Sequence, residues 1–291
     1  MPPPNRLLAL ARLLRVQNVF TAAADAFAGY GCTGTWDWKG ACVAAAASAC
    51  LYSGGLVLND VCDADRDRTL HPNRPIPSGA VPRGFALALA AVLLGTGILV
   101  AAWIGPRAAA IAAQIALLAV AYDAFLKRWR IPGALAMGSA RGLNVALGMA
   151  AGGAMFQSPH VFLAPAGNAV FIFLVTLLST FEEGRRTRGA VTGLVILAVA
   201  ALLAPLAWLR LTLRAAVPLG AAAAILLLVG LRAAQKDPER FLPIVVRTGV
   251  RSLIPLDAAL LLGTLDDPAP GLAVLAFLFP TWGLGAFLAG S

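Results

Sequence analysis

Residues 41–67 read ACVAAAASACLYSGGLVLNDVCDADRD, and this stretch decides the fold class. Residues 41–58 carry no charge. They approach the roughly 20 apolar residues that a helix needs to cross the hydrocarbon of a bilayer. The run then ends abruptly in Asp60, Asp63, Asp65 and Asp67. Strict apolar–polar alternation of the barrel type is absent, so the stretch reads as a helix that satisfies its own backbone in lipid.

Outward from this stretch the same pattern recurs. Apolar segments fall at 16–35, 41–58, 84–105, 107–126, 132–155, 161–181, 189–209, 215–231, 241–264 and 269–289. The segment at 241–264 contains Arg247, Arg251 and Asp257. It either lies partly in the interface or turns its polar residues into the bundle. The composition agrees, with 59% hydrophobic and only 13% charged residues. A soluble chain of this size cannot hide so much apolar surface. The expectation is an all-α, polytopic membrane bundle of nine or ten transmembrane helices, one domain over residues 1–291.

The net charge of +9 would suggest nucleic acid in a soluble protein. Here the basic residues sit in short loops between apolar runs, which is the pattern that orients membrane helices, so no nucleic-acid partner is expected. With the N-terminus in the cytosol, most of the 23 Lys and Arg fall on the cytosolic side. Lys39, Arg107, Arg210 and Arg214 fall on the other. The chain is therefore expected in the cytoplasmic (inner) membrane, with the N-terminus and the acidic loops facing the cytosol. The N-terminal stretch lacks an Ala-x-Ala site and is not read as a cleaved signal. Cys32, Cys42, Cys50 and Cys62 show no CxxC spacing, which argues against a zinc site or a disulfide framework.

The orientation places two acidic patches on one membrane face: Asp60, Asp63, Asp65 and Asp67 after the second segment, and Glu182 and Glu183 after the sixth. Asp60, Asp63 and Asp67 stand at i, i+3 and i+7, one face of a helix. Three like charges there repel unless a cation sits among them. Magnesium is typically held by one or two carboxylates plus substrate phosphates. The alternative is a solvated loop in which Arg66 and Arg68 are local partners. Ionisable groups at a membrane helix end tend to mark function, which favours the metal. Downstream, Arg74-Pro75-Ile76-Pro77-Ser78-Gly79 contains two X-Pro steps that forbid a continued helix. The loop becomes a rigid turn, and Arg74 on it either grips phosphate oxygens or anchors a helix start.

Within the spans, Arg141 and Asn144 are expected to face a cavity, since lipid exposure of Arg141 is expensive. They bind a substrate there or bond between helices. Asn18, at the entry of the first span, either reaches an acceptor or caps a helix end. Asp25 and Asp257 lie in apolar surroundings, and Asp25 either pairs across helices, sits near the head groups or acts as a catalytic base. Phe20, Tyr52, Phe125 and Phe181 are candidate cavity walls.

Asn59-Asp60-x-x-Asp63-x-x-x-Asp67, followed by Arg74-Pro75-Ile76-Pro77-Ser78-Gly79, resembles the first signature of the UbiA superfamily of intramembrane prenyltransferases. The resemblance implies helices around a lipid-open central cavity capped by cytosolic loops. It implies transfer of a prenyl group from a prenyl diphosphate to an unknown acceptor, with release of diphosphate and dependence on Mg2+. Asp60, Asp63 and Asp67 would be metal ligands, and with Glu183 they would form the catalytic set. Asn59, Lys127 and Arg128 would bind the diphosphate substrate, and Arg74, Arg141, Asn144, Arg186 and Asn18, read from the residues themselves, are the further candidate substrate-binding residues. Tyr122 with Lys127-Arg128 is similar to the family's Tyr…Lys-Arg element.

The second signature departs from the family pattern. Where two aspartates are usual, Phe181 and Arg185 stand, leaving Glu182 and Glu183 as the acids. A second magnesium is therefore in question. Ser139-Ala140-Arg141-Gly142-Leu143-Asn144 with Glu183-Gly184 is similar to the EboC-like branch. The rival functions are a catalytically altered lipid-binding or transport-associated member, and a transporter. Transporters place polar sites near the midplane on broken helices, whereas the acids here gather at one face.

Overall fold

The computed structural model describes residues 6–153, 162–181, 188–207, 212–235 and 238–290, without the side chains of 238–240, 289 and 290. The described residues form helices and turns, with no strand among them. Helix α1 (Arg6–Leu13) turns sharply into α2 (Val16–Gly31), and the two are bent by 40°. Then come α3 (Trp38–Cys62), the short α4 (Ala64–Leu70), α5 (Arg83–Ile104), α6 (Pro106–Ala124) and α7 (Arg130–Gly152). The second half holds α8 (Leu163–Ser179), α9 (Arg188–Leu203), α10 (Leu213–Gln235), α11 (Pro238–Arg251), α12 (Leu253–Thr264), α13 (Ala269–Ala276) and α14 (Leu278–Gly290).

Among the described residues each apolar segment read from the sequence lies on one helix or on two in succession, and length and hydropathy there do not by themselves reach the expected nine or ten spans. Six described helices are long and apolar enough to cross a membrane, and a seventh is reached if α1 and α2 count as one span. Helix α8 is apolar but short. The segment at 241–264 divides at Ser252. The amphipathic α11 carries Arg247 and Arg251, and α12 is buried from Leu253 through Leu262. Asp257 thus lies inside the bundle, as the reading of an inward polar face requires.

Helices α2, α7 and α12 occupy the centre, where α2 packs on both of the others. Small residues allow this approach, as is usual between membrane helices. A Cβ on Gly29 would run into the carbonyl oxygen of Val145, and one on Gly148 into that of Ala26. The outer helices close around this centre through α3–α5, α5–α6, α6–α7, α7–α8, α8–α9 and α9–α10 contacts. Their outward faces carry large apolar side chains such as Leu99, Trp103, Leu213 and Phe279. That inversion suits a molecule whose outer solvent is hydrocarbon.

Local sequence explains the ends that frame the site. Asp37 caps α3, its carboxylate accepting from the Gly40 N–H at 2.7 Å. At the other end α3 does not stop cleanly. Asp63 keeps the helical bonding, with its N–H to Asn59 O at 2.9 Å and Asp67 N–H to Asp63 O at 2.8 Å. The chain therefore bends rather than unwinds into α4, and the acidic run stays helical.

Candidate active site

One end of the bundle collects the start of α2, the end of α3, α4, the 71–81 turn, the end of α6 and a 3-10 turn at Leu126–Arg128. Carboxylates and cations interlace there. Arg15 Nη2 donates to Asp60 Oδ1 at 2.7 Å. Arg74 Nη1 donates to Asp67 Oδ2 at 2.5 Å and lies 4.0 Å from Asp60 Oδ1. Lys127 Nζ donates to Asp63 Oδ1 at 2.7 Å and to Asp123 Oδ1 at 3.2 Å. Asn59 Nδ2 donates to the same Asp123 oxygen at 2.7 Å. Asp60, Asp67 and Asp123 are buried, while Asp65 is exposed and pairs with Arg83 and Arg68.

The expected single face of three carboxylates is thus divided in two. Asp60 and Asp67 share Arg74, and Asp63 turns to Lys127 and Asp123. Among the described residues no three His, Cys, Asp or Glu side chains are grouped so as to take a metal ion unaided. The donor set still fits magnesium, which prefers hard oxygens and takes part of its shell from substrate phosphates. Asp60, Asp63 and Asp67 are the residues that would hold it.

Lys127 shows how tightly this end is coupled. Burial alone would lower its pKa, but hydrogen bonds to Asp63 and Asp123, and their charges, raise it above the usual lysine value. Arg15 pays for its position with backbone strain. It is the one described non-glycine residue in the left-handed region, at φ 46° and ψ 49°. That conformation costs about 1–2 kcal/mol. It lets the chain break between α1 and α2 while the guanidinium reaches Asp60.

Below this rim lies a cavity of about 220 Å³. Arg15, Asn59, Tyr122 and Asp123 form its mouth. Leu51, Leu56, Ile115, Leu118 and Met137 line the middle, with Tyr52 alongside. Ser48, Arg141 and Asn144 form the deep end. Arg141 lies over the Tyr52 ring, 4.6 Å from its centroid. Of the proposed aromatic walls only Tyr52 lines this cavity. Phe20 packs on Phe277, Phe125 is exposed, and Phe181 lies under Arg130. Asn18 is outside the lining, and Arg128 lines a neighbouring pocket with Lys127, Trp129 and Arg130. Glu183 and Arg186, with Glu182 and Arg185, lie outside the described residues.

Two members of the rim escaped sequence reasoning. Asp123 had a signal, its four-residue spacing from Lys127 at a helix end. Arg15 had none, because its role comes from a backbone turn that the sequence does not announce.

A helical bundle with a polar rim above an apolar-walled cavity is the architecture of an intramembrane enzyme or lipid-binding protein. Residues 18–242 match the UbiA prenyltransferase family, and the chain belongs to that family. It is 30% identical over 184 residues to a digeranylgeranylglyceryl phosphate synthase of Ignicoccus hospitalis, which covers 63% of this chain and 60% of that protein. It is 34% identical over 139 residues to the synthase of the same name from Metallosphaera sedula, covering 47% of this chain and 49% of that one. The chain thus matches less than two thirds of the length of these relatives. The EboC-like placement has no counterpart among them.

Solved structures share the fold. A UbiA homolog from Aeropyrum pernix K1, in its apo form, superposes with a TM-score of 0.66 at 19% identity, over 84% of this chain and 97% of that one. A homolog from Archaeoglobus fulgidus bound to GPP and Mg2+ gives 0.58 at 17% identity, over 92% and 99%.

Proposed function

We propose that this protein transfers a prenyl group from a prenyl diphosphate to an acceptor held in the cavity, with Mg2+ as cofactor. The observation that carries the reading is the position of the interlaced Asp60, Asp63, Asp67 and Asp123 with Arg15, Arg74 and Lys127. They stand directly over an apolar-walled cavity. An allylic diphosphate has that polarity, with a multiply charged head and a hydrocarbon tail.

The chemistry follows from where charge develops. The bond between the allylic carbon and the diphosphate oxygen breaks, and the electron pair leaves with diphosphate. The acceptor's nucleophilic atom bonds to that carbon and passes its proton to the released diphosphate. Mg2+, when bound, supplies positive charge to the leaving group, and Asp60, Asp63 and Asp67 would hold it. Arg15, Arg74 and Lys127 each already rest on a carboxylate. When phosphate oxygens arrive, these cations donate to them without a large rearrangement. The apolar walls exclude water that would quench the electron-poor carbon.

The names of the relatives make a glyceryl phosphate lipid the first acceptor class to assay. The test uses the full chain in lipid nanodiscs with Mg2+ and radiolabelled geranylgeranyl diphosphate, following diphosphate release and lipid products. Asp60→Asn and Asp63→Asn are each expected to reduce turnover by about 10²-fold or more, the usual cost of losing an electrostatic contact at a reacting centre. Undiminished turnover in both would remove the metal role from this rim.

A further inference from the structure

The cavity is polar at both ends, and a prenyl diphosphate explains only one of them. Its mouth at Asn59 and Asp123 suits the diphosphate. Its deep end presents Arg141 and Asn144. At 1.5 Å per residue, Arg141 lies roughly 16 Å along α7 from Arg130 at the start of that helix, near the middle of a bilayer. Hydrocarbon gains nothing from a guanidinium there, so the second polar end addresses something other than the prenyl tail.

Arg141 is held by a network that spans four helices. Its Nη1 donates to Asp25 Oδ2 at 2.8 Å and its Nη2 to Thr21 Oγ1 at 3.0 Å. Asn144 Nδ2 donates to the same Asp25 oxygen at 3.0 Å and to Ala22 O at 2.9 Å. On the far side, Asn168 Nδ2 bridges two carboxylates, at 3.3 Å to Asp25 Oδ1 and 2.9 Å to Asp257 Oδ1. Asp25 and Asp257 are fully buried, and Arg141 is 6% exposed. The second oxygen of Asp257 is buried with no hydrogen-bond partner, and the Asp257 and Asp25 carboxyls lie close enough to share a hydrogen bond.

Two carboxylates and one guanidinium would leave a net negative charge in the membrane interior, which is strongly unfavourable. The groups around Asp257 are Asp25 on α2, Arg141 on α7, Asn168 on α8 and the Cys32 thiol. None of them supplies a further cation. A single proton on the orphan oxygen of Asp257 resolves both problems: it neutralises the network and donates to Asp25.

We propose that Asp257 carries this proton and positions Arg141, through Asp25, as the residue that selects the acceptor by taking oxygens of its polar head at the deep end of the cavity. The inference rests on the prenyl-transfer reading above. Asp257 is a positioning residue, since it does not line the cavity. Carboxylate, phosphate and phenolic oxygens share the chemistry that Arg141 recognises.

The experiment uses the full chain in nanodiscs with a fixed prenyl diphosphate and two acceptors, geranylgeranylglyceryl phosphate and a hydroxybenzoate. Arg141→Met is expected to raise the acceptor KM by at least about tenfold, the scale of one hydrogen bond to a charged group, while the KM for the diphosphate stays within twofold. Which acceptor shows the effect identifies the head group. Asp257→Val is expected to reproduce the acceptor defect, and Asp257→Asn, a neutral donor of the same shape, to restore most of the loss. Infrared difference spectra should show a protonated carboxyl band in the wild type that is missing from Asp257→Asn.

An Arg141→Met protein that instead accepts longer prenyl diphosphates with unchanged acceptor KM would make the floor a chain-length stop and overturn the proposal. So would a wild type without the carboxyl band. A wild type that turns over no acceptor but shows the band would strike the prenyl-transfer reading and leave the proton on Asp257 standing.

Discussion

At the scale of single residues, the rim works because each carboxylate has a cation and two of the cations, Arg74 and Lys127, each serve two carboxylates. Lys127 illustrates it, bonded to Asp63 and Asp123 together. Its pKa is raised in the fold, so the stabilisation from this pairing is fully present below the ordinary lysine value. It is lost only as pH rises through the higher folded value. The pH profile of turnover is therefore expected to show no alkaline limb from Lys127 below about pH 10. Lys127→Met should lose turnover at every pH rather than shift the profile. Asp123 is the sharper test of what the sequence concealed. Asp123→Asn keeps the shape but removes one of the two charges on Lys127, and diphosphate-dependent turnover should fall by roughly tenfold. Equal turnover across the pH range would show that Asp123 is a bystander. The aspartate run and Arg74 were legible beforehand because spacing and proline chemistry are local. The Arg15–Asp60 and Lys127–Asp63 pairs were not, because they join residues 45 and 64 positions apart.

Among the elements, the contact between α2 and α7 sets the geometry of the deep end, because it carries Thr21, Asp25, Arg141 and Asn144 on facing surfaces. It depends on the absence of Cβ atoms at Gly29 and Gly148. Gly148→Ala must displace backbone rather than a flexible side chain, and overpacking of this kind costs about 1–3 kcal/mol. The expected result is a lower unfolding temperature in nanodiscs and a weakened acceptor KM, with the affinity for diphosphate kept. Gly167→Ala on α8, where a Cβ meets nothing, is the control. Helix positions were readable from apolar runs because a membrane helix needs only length and hydropathy. The division of 241–264 at Ser252 was not. Its one local signal is Pro255, whose ring nitrogen has no hydrogen for the Arg251 carbonyl four residues back, but a proline in an apolar run does not say whether a helix kinks or divides; here α12 packs against α2 and α10 while α11 packs on α8 and α10. Arg141 was read as facing a cavity or pairing with an acid, and it does both, because a buried guanidinium has enough donors to serve Asp25 and still border open space.

For the whole molecule, the open question is which face of the membrane carries the rim. The distribution of Lys and Arg predicts the cytosolic face. Two native cysteines make the assignment testable without disturbing the site. Cys62 is exposed at the end of α3 beside the acidic run, and Cys42 is exposed near the start of the same helix. They are separated by 20 residues of helix, roughly 30 Å, the thickness of the hydrocarbon. A variant with Cys32, Cys42 and Cys50 replaced by Ala keeps Cys62 as its single thiol. In sealed inside-out vesicles, a membrane-impermeant maleimide should label that variant. Right-side-out vesicles should leave it unlabelled until they are opened by detergent. The converse variant, keeping Cys42 alone, should show no labelling from the inside-out face. Labelling of Cys62 only from the outer face would invert the bundle.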